Sequence, residues 1–537
     1  MKTRVFSGYK LDEYWTEIAQ NIAEKMENKY KLDLPNIDYY FISLDEMASI
    51  KATHGWIVFP HSWEEGQSYY LNKMIQKLYG ESVFEIVVNS YDEIRNTSVT
   101  AYINKSISDS AKKLVIAHVL GHAYLFKHNN IEKKFEVNDP ESFLYRLSQK
   151  INRYEYLYGI EEVQDFIETI KHLSTLIDFY PPIEVKDESK KERKKIIEKI
   201  LTKEMFKKKI PEKNEYDILG FLANYAPLED WQKDLLLDYR ELFYFLYSRA
   251  RIKILHEGFS SLIELLYFLE STEEELPLKE WIPYSRLMVS LRREVPIGSS
   301  TIKEGFDPYF LGYYLLLYGL IKLTFKEYGE IPKKKWYERI RREDFIDIIE
   351  KPEFLEAWEE VLEKVKAYDD FLLIKELFDE EFFNSIARKY YFVYEGENYP
   401  WNKKIVVSRS YEDVYKTFLF SSFNMKLPRV YIPEDGGMYN KKENEKLGEL
   451  LLIQDTSFPE SLGISKQQLT LDERKEKEVL KALFKIWKKP VNLKTFRVEF
   501  EYTPLDPFDP SSLEEANGKI KEIIDRYDGE SFKTINV

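Results

Sequence analysis

Cysteine is absent from this chain of 537 residues, and its absence excludes several kinds of chemistry. Without thiols there are no disulfides, no thiolate metal sites and no cysteine nucleophile. A metal bound to this protein must therefore be held by histidine and carboxylate side chains. The sequence also lacks a glycine-rich phosphate-binding loop and an internal repeat, so neither a phosphate-loop enzyme nor a repeat fold is indicated.

The sequence also has little that could enter a membrane. Residues 1–4 are followed at once by charged and aromatic residues, without the apolar core of a secretory signal. The most apolar run, residues 308–321, is flanked by Asp307 and Lys322 and is too short to span a bilayer. We therefore expect a cytoplasmic protein without membrane association, in which residues 308–321 form a buried helix.

The net charge is acidic, because 79 Lys and Arg stand against 93 Asp and Glu, giving −14. This balance argues against a general nucleic-acid-binding protein. One stretch is basic, since residues 190–209 contain ten Lys or Arg and three Glu. Its apolar residues recur at helical spacing, which predicts a helix with a solvated charged face. The alternative for this stretch is an RNA-binding surface, whose affinity would fall steeply with salt.

Length and composition predict a globular protein of several domains. A hydrophobic content of 44%, with 40 Tyr and 34 Phe, is ample for burial. A chain of this length divides into roughly two to four domains. Its periodicity predicts an α+β protein that is predominantly helical. The predicted segments are an N-terminal α+β region at 1–185, a charged helical connector at 186–215, a helical region at 216–389, a C-terminal α+β domain at 390–510, and a helix with a tail at 511–537.

Two histidines in the N-terminal region have the spacing of metal ligands. His118 and His122 lie four residues apart in a segment, 111–127, that has helical character. Positions i and i+4 of a helix share a face, with Cβ atoms about 5–6 Å apart, so both imidazoles can bind one ion. Gly121 lies in the interior of this helix, where glycine costs roughly 1 kcal/mol relative to alanine. We therefore expect another backbone or a ligand to approach closely at Gly121.

A second segment supplies a candidate third ligand. Residues 256–260 read His-Glu-Gly-Phe-Ser, and Glu264 follows Glu257 after two helical turns. This segment is similar to the Asn-Glu-Gly-Phe-Ala…Glu segment of gluzincin aminopeptidases, whose first Glu is the third zinc ligand. The resemblance implies a gluzincin-like helical catalytic core in which His118, His122 and Glu257 bind Zn²⁺, with iron or manganese as alternatives. The histidine before Glu257 points about 100° away from it and is not expected to bind the same ion.

The general base of a metallopeptidase is missing from its usual position. In an HExxH site the residue after the first His is the Glu that accepts a proton from water, and here that residue is Val119. The candidates for the base are Glu264, Glu241 and Glu85, and the candidates for stabilising an oxyanion are His61 and Arg240. The structural alternatives are exposed helix charges for Glu264 and Glu241, a solvent-facing strand residue for Glu85, an exposed imidazole for His61 and an ion pair for Arg240.

Several short phrases along the chain share their order and approximate spacing with one protein family. They are residues 84–90, 118–122 followed by Phe126, Lys127 and Asn129, then 224–232, 240–241, 253–259 and 307–312. Through these phrases the chain resembles the stage V sporulation protein R (SpoVR) family over nearly its whole length.

The resemblance to SpoVR implies a cytoplasmic protein that is linked, in bacterial relatives, to spore cortex or stress physiology. It implies an AAA-type serine protein kinase and a von Willebrand A-like protein as partners, and a metal-dependent amide-bond reaction on peptidoglycan-type peptides. The chain departs from the family pattern at His256, which is usually Asn, at Glu264, which is usually His, in the phrase at 58–63, and near Tyr124, where the family has an acidic residue. These departures leave the three metal ligands in place but affect positions that could contact substrate.

Two functions from different classes follow. The first is a metal-dependent hydrolase, amidase or amide transferase that acts on peptide or peptidoglycan-type γ-glutamyl substrates. The second is a non-catalytic scaffold in a kinase-regulated stress or sporulation complex, in which the metal staples the helical core; the absence of the HExxH glutamate favours it. An open fourth metal position indicates the enzyme, and a fourth protein ligand indicates the scaffold.

Overall fold

The chain forms two compact units, each of which is built from two separated stretches of sequence. Unit 1 comprises Met1–Gln149 and Phe245–Met425, and unit 2 comprises Lys150–Tyr244 and Lys426–Val537. Neither unit therefore coincides with one consecutive segment of the chain. The computed structural model describes residues 9–10, 12–47, 84–90, 97–134, 140–178, 209–277, 294–297, 301–304, 308–325, 348–387, 392–398, 402–408, 410–424, 429–443, 445–464, 466–499 and 519–537.

Helices account for most of the described residues. They are α1 (Glu13–Tyr30), α2 (Asp109–His128), α3 (Asn130–Lys134), α4 (Pro140–Tyr158), α5 (Ile160–His172), α6 (Ile218–Tyr225), α7 (Asp230–Ala250), α8 (Lys253–Glu270), α9 (Pro308–Thr324), α10 (Pro352–Ala367), α11 (Asp370–Leu377), α12 (Glu380–Ala387), α13 (Tyr411–Asn424), α14 (Ser457–Ser461) and α15 (Glu473–Trp487).

The strands of the described residues form two larger sheets and two hairpins. They are β1 (Tyr9–Lys10), β2 (Asn36–Ile42), β3 (Phe84–Ser90), β4 (Ser98–Asn104), β5 (Glu294–Ile297), β6 (Thr301–Glu304), β7 (Phe392–Asn398), β8 (Asn402–Ser408), β9 (Val430–Tyr431), β10 (Leu450–Gln454), β11 (Val491–Glu499), β12 (Lys519–Tyr527) and β13 (Phe532–Asn536). The sheet orders are β1-β2-β4-β3 and β13-β12-β11-β10-β9, with β5-β6 and β7-β8 as hairpins. The predicted class, α+β and predominantly helical, is confirmed.

Helix α2 lies in the interior of unit 1. Its start is defined by Ser108, whose hydroxyl accepts a hydrogen bond from the Ala111 N–H at 3.3 Å. Residues 114–126 are buried without exception. A helix that is apolar on every side belongs in a core, which explains why α2 shows no solvent face over this length. The two histidines of the predicted metal pair are therefore buried, with His118 8% and His122 4% exposed.

Helix α8 packs against α2 on one side and α9 on the other. Small residues permit both contacts. A Cβ atom added at Gly121 would lie 2.5 Å from the Ser260 Cα atom, and one added at Gly258 would lie 2.2 Å from the Gly312 carbonyl carbon. Because Gly258 and Ser260 are two residues apart, they lie on nearly opposite faces of α8. The close backbone approach predicted for Gly121 is confirmed.

The sheet of unit 1 brings one aromatic side chain toward α2. Strand β4 pairs in parallel with β2 and antiparallel with β3. The ring of Phe84, at the start of β3, lies 5.3 Å from the ring of His118, centroid to centroid. The sheet thus supplies a hydrophobic wall beside the histidine pair.

Unit 2 contains the five-stranded sheet. Strands β10 and β11 pair in parallel, and the chain between them includes α15, which covers the sheet. Of the helix with a tail predicted at 511–537, residues 511–518 lie outside the described residues, whereas residues 519–527 and 532–536 form the strands β12 and β13. All nine residues of β12 pair with β11, and this long-range pairing outweighs the helical spacing of Ile520, Ile523 and Ile524.

Three further predictions concern the helix at 308–321, the connector at 186–215 and the absence of membrane-spanning segments. The buried helix predicted at 308–321 is confirmed as α9, whose residues Leu315–Ile321 are almost all buried. The charged connector predicted at 186–215 lies outside the described residues as far as residue 208. Among the residues that the structure describes, no helix combines the length and the apolar character needed to cross a bilayer.

Candidate metal centre

The candidate site lies between α2 and α8, which run antiparallel. Successive contacts along the pair show this direction, since His118 faces Glu264, Gly121 faces Ser260 and His122 faces Glu257. On α8, Glu257 and Glu264 are two turns apart and so share the face that is turned toward α2. The close approach at Gly121 brings this face within reach of both imidazoles.

Three side-chain atoms that could bind a metal ion converge in this space. The Nε2 atoms of His118 and His122 lie 3.2 Å apart. Glu257 Oε2 lies 3.7 Å from the first and 3.8 Å from the second. A point at about 2.1 Å from all three atoms exists, and Zn–N and Zn–O bonds are about 2.0–2.2 Å long. The donor set and its spacing therefore fit a divalent cation, and the three residues form the described group that could hold a metal ion.

Burial and neighbouring charges determine the protonation of the two histidines when no metal is bound. Burial disfavours the charged form of His118, but hydrogen bonds to Glu257 and Glu264 and the charges of both outweigh it and raise the pKa to about 9. Burial, and then the charges of His118 and His256, lower the pKa of His122 well below its usual value. Near pH 7, without a metal, His118 is thus protonated and His122 is neutral, so that His122 offers a lone pair.

Each histidine has a partner on the side away from the ligand atoms. His118 Nδ1 lies 3.0 Å from Glu264 Oε2, and His122 Nδ1 lies 3.0 Å from His256 Nδ1. His256 and Glu257 thus contact opposite sides of the His122 ring, His256 at Nδ1 and Glu257 at Nε2. Partners of this kind fix the orientation of metal-binding imidazoles.

Aromatic side chains enclose the site. Phe84 and Phe126 lie near the His122 ring, at 6.1 Å and 6.4 Å between centroids. Tyr313 on α9 lies near Glu264, and burial, then the neighbouring Tyr314 and the charge of Glu264, raise the pKa of its hydroxyl. Val119, which occupies the usual place of the HExxH glutamate, is fully buried. Glu257 is the most exposed of the three ligand residues, with 22% of its side chain accessible.

The other predicted site residues are Arg240, Glu241, His61 and Glu85. Arg240 and Glu241 lie on α7 within unit 2, where Arg240 Nε donates a hydrogen bond of 2.7 Å to Asp217 Oδ2 and Glu241 is exposed. His61 lies outside the described residues, as does the side chain of Glu85. Among the predicted residues that the structure describes, the three candidate ligands and Glu264 lie together between α2 and α8.

Sequence reasoning missed the side chains behind His122. Glu132, on the short helix α3, lies 3.4 Å from His256 Nε2 and is 2% exposed. No local pattern marks it, because an acidic residue in a short charged helix normally faces solvent. The burial of a charged residue directly after an apolar helix becomes visible only in three dimensions.

Comparisons with known proteins agree with the resemblance. A family model described as SpoVR like protein matches residues 10–426. The uncharacterized protein YcgB of Escherichia coli (strain K12) is 23% identical over 369 residues, which cover 63% of this chain and 68% of YcgB. No solved structure matches the chain significantly. Because the family model spans most of the chain and includes both helices of the candidate site, the protein belongs to the SpoVR family.

Proposed function

We propose that this protein is a metal-dependent enzyme acting on amide bonds, as a hydrolase or an amide transferase on peptide or peptidoglycan-type γ-glutamyl substrates. The observation that carries the proposal is the convergence of His118 Nε2, His122 Nε2 and Glu257 Oε2 within 4.8 Å of one another. Zinc with two histidines and one carboxylate is typical of hydrolytic sites, in which the fourth position remains open.

The ion would supply Lewis-acid polarisation of a substrate carbonyl and would make a water molecule more acidic. The chain's own part is to hold the ligands rigidly. His118 and His122 are fixed by a buried helix, and Glu257 is fixed by the packing of α8 between two neighbouring helices. Glu257 is partly accessible, which is what entry of a substrate to this side of the site requires.

Glu264 could act in this mechanism either by positioning His118 or as the general base. Its carboxylate accepts a hydrogen bond from His118 Nδ1, the nitrogen on the far side of the ring from the ligand atom. This geometry supports a positioning role, in which Glu264 orients His118 and makes it a better donor. A role as the general base would require Glu264 to reach the substrate side of His118. The zinc affinity of a Glu264 variant and its kcat at saturating zinc separate the two roles.

The experiment that tests the proposal compares two carboxylates on the same helix. Zinc-loaded wild type, Glu257→Gln and Glu270→Gln are incubated with γ-glutamyl amides and short peptides, and released amine or ammonia is measured. Glu270 is the matched control because its carboxylate contacts Lys29 and Tyr30 rather than the histidines. Turnover by wild type and by Glu270→Gln, but not by Glu257→Gln, is expected. Zinc-loaded wild type without turnover on any amide would contradict the enzymatic proposal.

The second candidate is a metal-stapled scaffold, favoured by the buried Val119 in place of a catalytic glutamate. The two candidates differ at the open position of the metal. A hydroxamate, which needs a free coordination site, should bind the zinc-loaded enzyme and should not bind a closed structural site. An AAA-type serine protein kinase and a von Willebrand A-like protein remain proposed partners for either candidate, and co-purification of the full chain with each tests them.

A further inference from the structure

A buried line of polar side chains continues from the metal ligand His122 into the core of unit 1. His122 Nδ1 lies 3.0 Å from His256 Nδ1, and His256 Nε2 lies 3.4 Å from Glu132 Oε1. Glu132 Oε2 in turn lies 3.8 Å from Arg249 Nε. His122, His256 and Glu132 are 4%, 2% and 2% exposed. Burying four such groups together is costly unless each satisfies another.

We propose that His256 and Glu132 are positioning residues of the metal centre, which act on the ion through His122. This inference rests on the proposed zinc site and extends it beyond its three ligands. His118 has a carboxylate, Glu264, directly on its outer nitrogen. The outer nitrogen of His122 instead contacts the imidazole of His256. The carboxylate of Glu132 lies on the far side of that second imidazole.

The direction of the hydrogen bonds follows from the chemistry of the imidazole ring. A neutral imidazole carries one N–H, so a His122 that offers its Nε2 lone pair to a cation has its hydrogen on Nδ1. That N–H donates to His256 Nδ1, which must then be the acceptor. The hydrogen of His256 is consequently on Nε2, where it faces the carboxylate of Glu132. The tautomer of His122 is therefore determined by the acceptor His256 Nδ1. The 3.4 Å contact of His256 Nε2 with the carboxylate of Glu132 is electrostatic rather than a hydrogen bond, and it favours the hydrogen of His256 on Nε2.

The charge of Glu132 is balanced within the core. The Arg249 guanidinium that faces Glu132 also lies over the ring of Phe245, 4.4 Å from its centroid. A carboxylate paired with an arginine in this way remains an acceptor, which is what the line requires at its outer end. Replacement of Glu132 by its amide would keep the shape of the side chain but remove its charge and allow the opposite hydrogen-bond direction.

The test measures metal affinity rather than turnover. Full-length wild type, Glu132→Gln and a control, Asp370→Asn, are compared by zinc competition with a chelator. Asp370 is also a buried carboxylate that supports α8, since it accepts hydrogen bonds of 2.9 Å and 2.8 Å from the N–H groups of Ile254 and Leu255. Glu132→Gln is expected to bind zinc about 10–100-fold more weakly than wild type. Asp370→Asn is expected to lose stability but to keep the zinc affinity of its folded form.

Two further measurements keep the test decisive. In Co²⁺-substituted protein, the ligand-field absorption should change in Glu132→Gln and should not change in Asp370→Asn. In zinc-loaded wild type, ¹⁵N NMR of the imidazoles should show His256 with its hydrogen on Nε2, a result that does not depend on any variant folding.

Wild-type zinc affinity and an unchanged cobalt spectrum in Glu132→Gln would overturn the positioning role while leaving the zinc site intact, as would a His256 hydrogen on Nδ1. A wild type that binds no zinc would overturn the proposed function itself. The two failures are thus distinguishable.

Discussion

Gly121 on α2 lies against Ser260 on α8 so closely that a Cβ atom at position 121 would be 2.5 Å from the Ser260 Cα atom. The neighbour is backbone, which cannot move aside as the end of a flexible side chain can. This contact sets the separation of the two helices and thereby the distance between the histidines of α2 and the carboxylate of α8.

Gly121→Ala is expected to destabilise the protein and weaken metal binding together. Overpacking costs about 1–3 kcal/mol, which exceeds the gain of roughly 1 kcal/mol from helix propensity. Urea unfolding and zinc competition measure the two effects. Gly319→Ala is the control, because the nearest atom to its added Cβ is a side-chain methyl of Leu377 at 3.1 Å. A Gly121→Ala protein with wild-type stability and zinc affinity would show that the helix separation is not set here.

Glu264→Gln separates a positioning role from a general base. If Glu264 orients His118, the variant should lose about tenfold or more in zinc affinity, with an activity that recovers in part when zinc is saturating. If Glu264 is the base, zinc affinity should be nearly unchanged and kcat should fall by about 10²–10⁴-fold at saturating zinc. The contact with His118 Nδ1 leads us to expect the first result. Zinc competition and steady-state kinetics on the same preparation measure both quantities.

Arg240→Ala is expected to affect stability and to leave zinc content unchanged. Arg240 donates hydrogen bonds to both carboxylate oxygens of Asp217, which also accepts from the Gly220 N–H at the start of α6. Loss of this partly buried pair should lower the free energy of unfolding by about 1–3 kcal/mol. Glu241→Ala, at the neighbouring exposed position, should change it by less than about 0.5 kcal/mol. Unaltered stability with lost amide turnover would instead favour the oxyanion role.

The stability of unit 2 is expected to fall as pH rises toward 8 because of Glu476. Burial, a hydrogen bond with Asp525 and the charge of Asp525 raise the pKa of Glu476 to about 8, although Arg497 acts in the opposite direction. The folded state therefore keeps a proton that the unfolded chain releases above its ordinary pKa near 4.5. This contribution is fully present below about pH 4.5 and is lost as pH rises through about 8.

Glu476→Gln should remove this part of the pH dependence, as measured by urea unfolding near pH 5 and near pH 9. Glu473→Gln is the matched control, since Glu473 is also on α15 and lies 3.6 Å from Arg497 Nε but is 61% exposed. The control should keep the wild-type slope. Equal slopes in all three proteins would contradict the assignment to Glu476.

Local features of the sequence are sufficient to predict the part of the candidate site that lies on α2. The i, i+4 spacing of His118 and His122 and the unusual Gly121 both depend on helix geometry alone, and the structure agrees with both. Glu257 is separated from them by more than 130 residues, and only the resemblance of its segment to a known ligand segment connected it to the pair. The outer residue Glu132 has no local signature, since its role follows from packing between elements distant in sequence.

In the fold, too, local sequence predicts some elements, whereas others depend on contacts with residues distant in sequence. The sequence predicts the apolar helices α2 and α9 almost at their observed bounds, at 111–127 and 308–321. Strand β4, which carries Thr100 and Ala101 in its buried centre, was not predicted, because its apolar run is interrupted by small polar residues. Strand β12 lies in the segment for which the sequence predicts a helix with a tail. In both strands the pairing partner, rather than the local sequence, determines the conformation.

The most direct test of the central claim is the metal content of the full-length protein, purified without a His-tag, by inductively coupled plasma mass spectrometry. Wild type is measured beside His118→Ala and Glu257→Ala, with Glu270→Ala as a carboxylate control on α8. Three convergent ligands predict about one equivalent of zinc in wild type and in the control, and its loss in both ligand variants. If wild type and variants alike carry no metal after zinc is supplied, His118 and His122 are core residues of a scaffold and the metal centre does not exist.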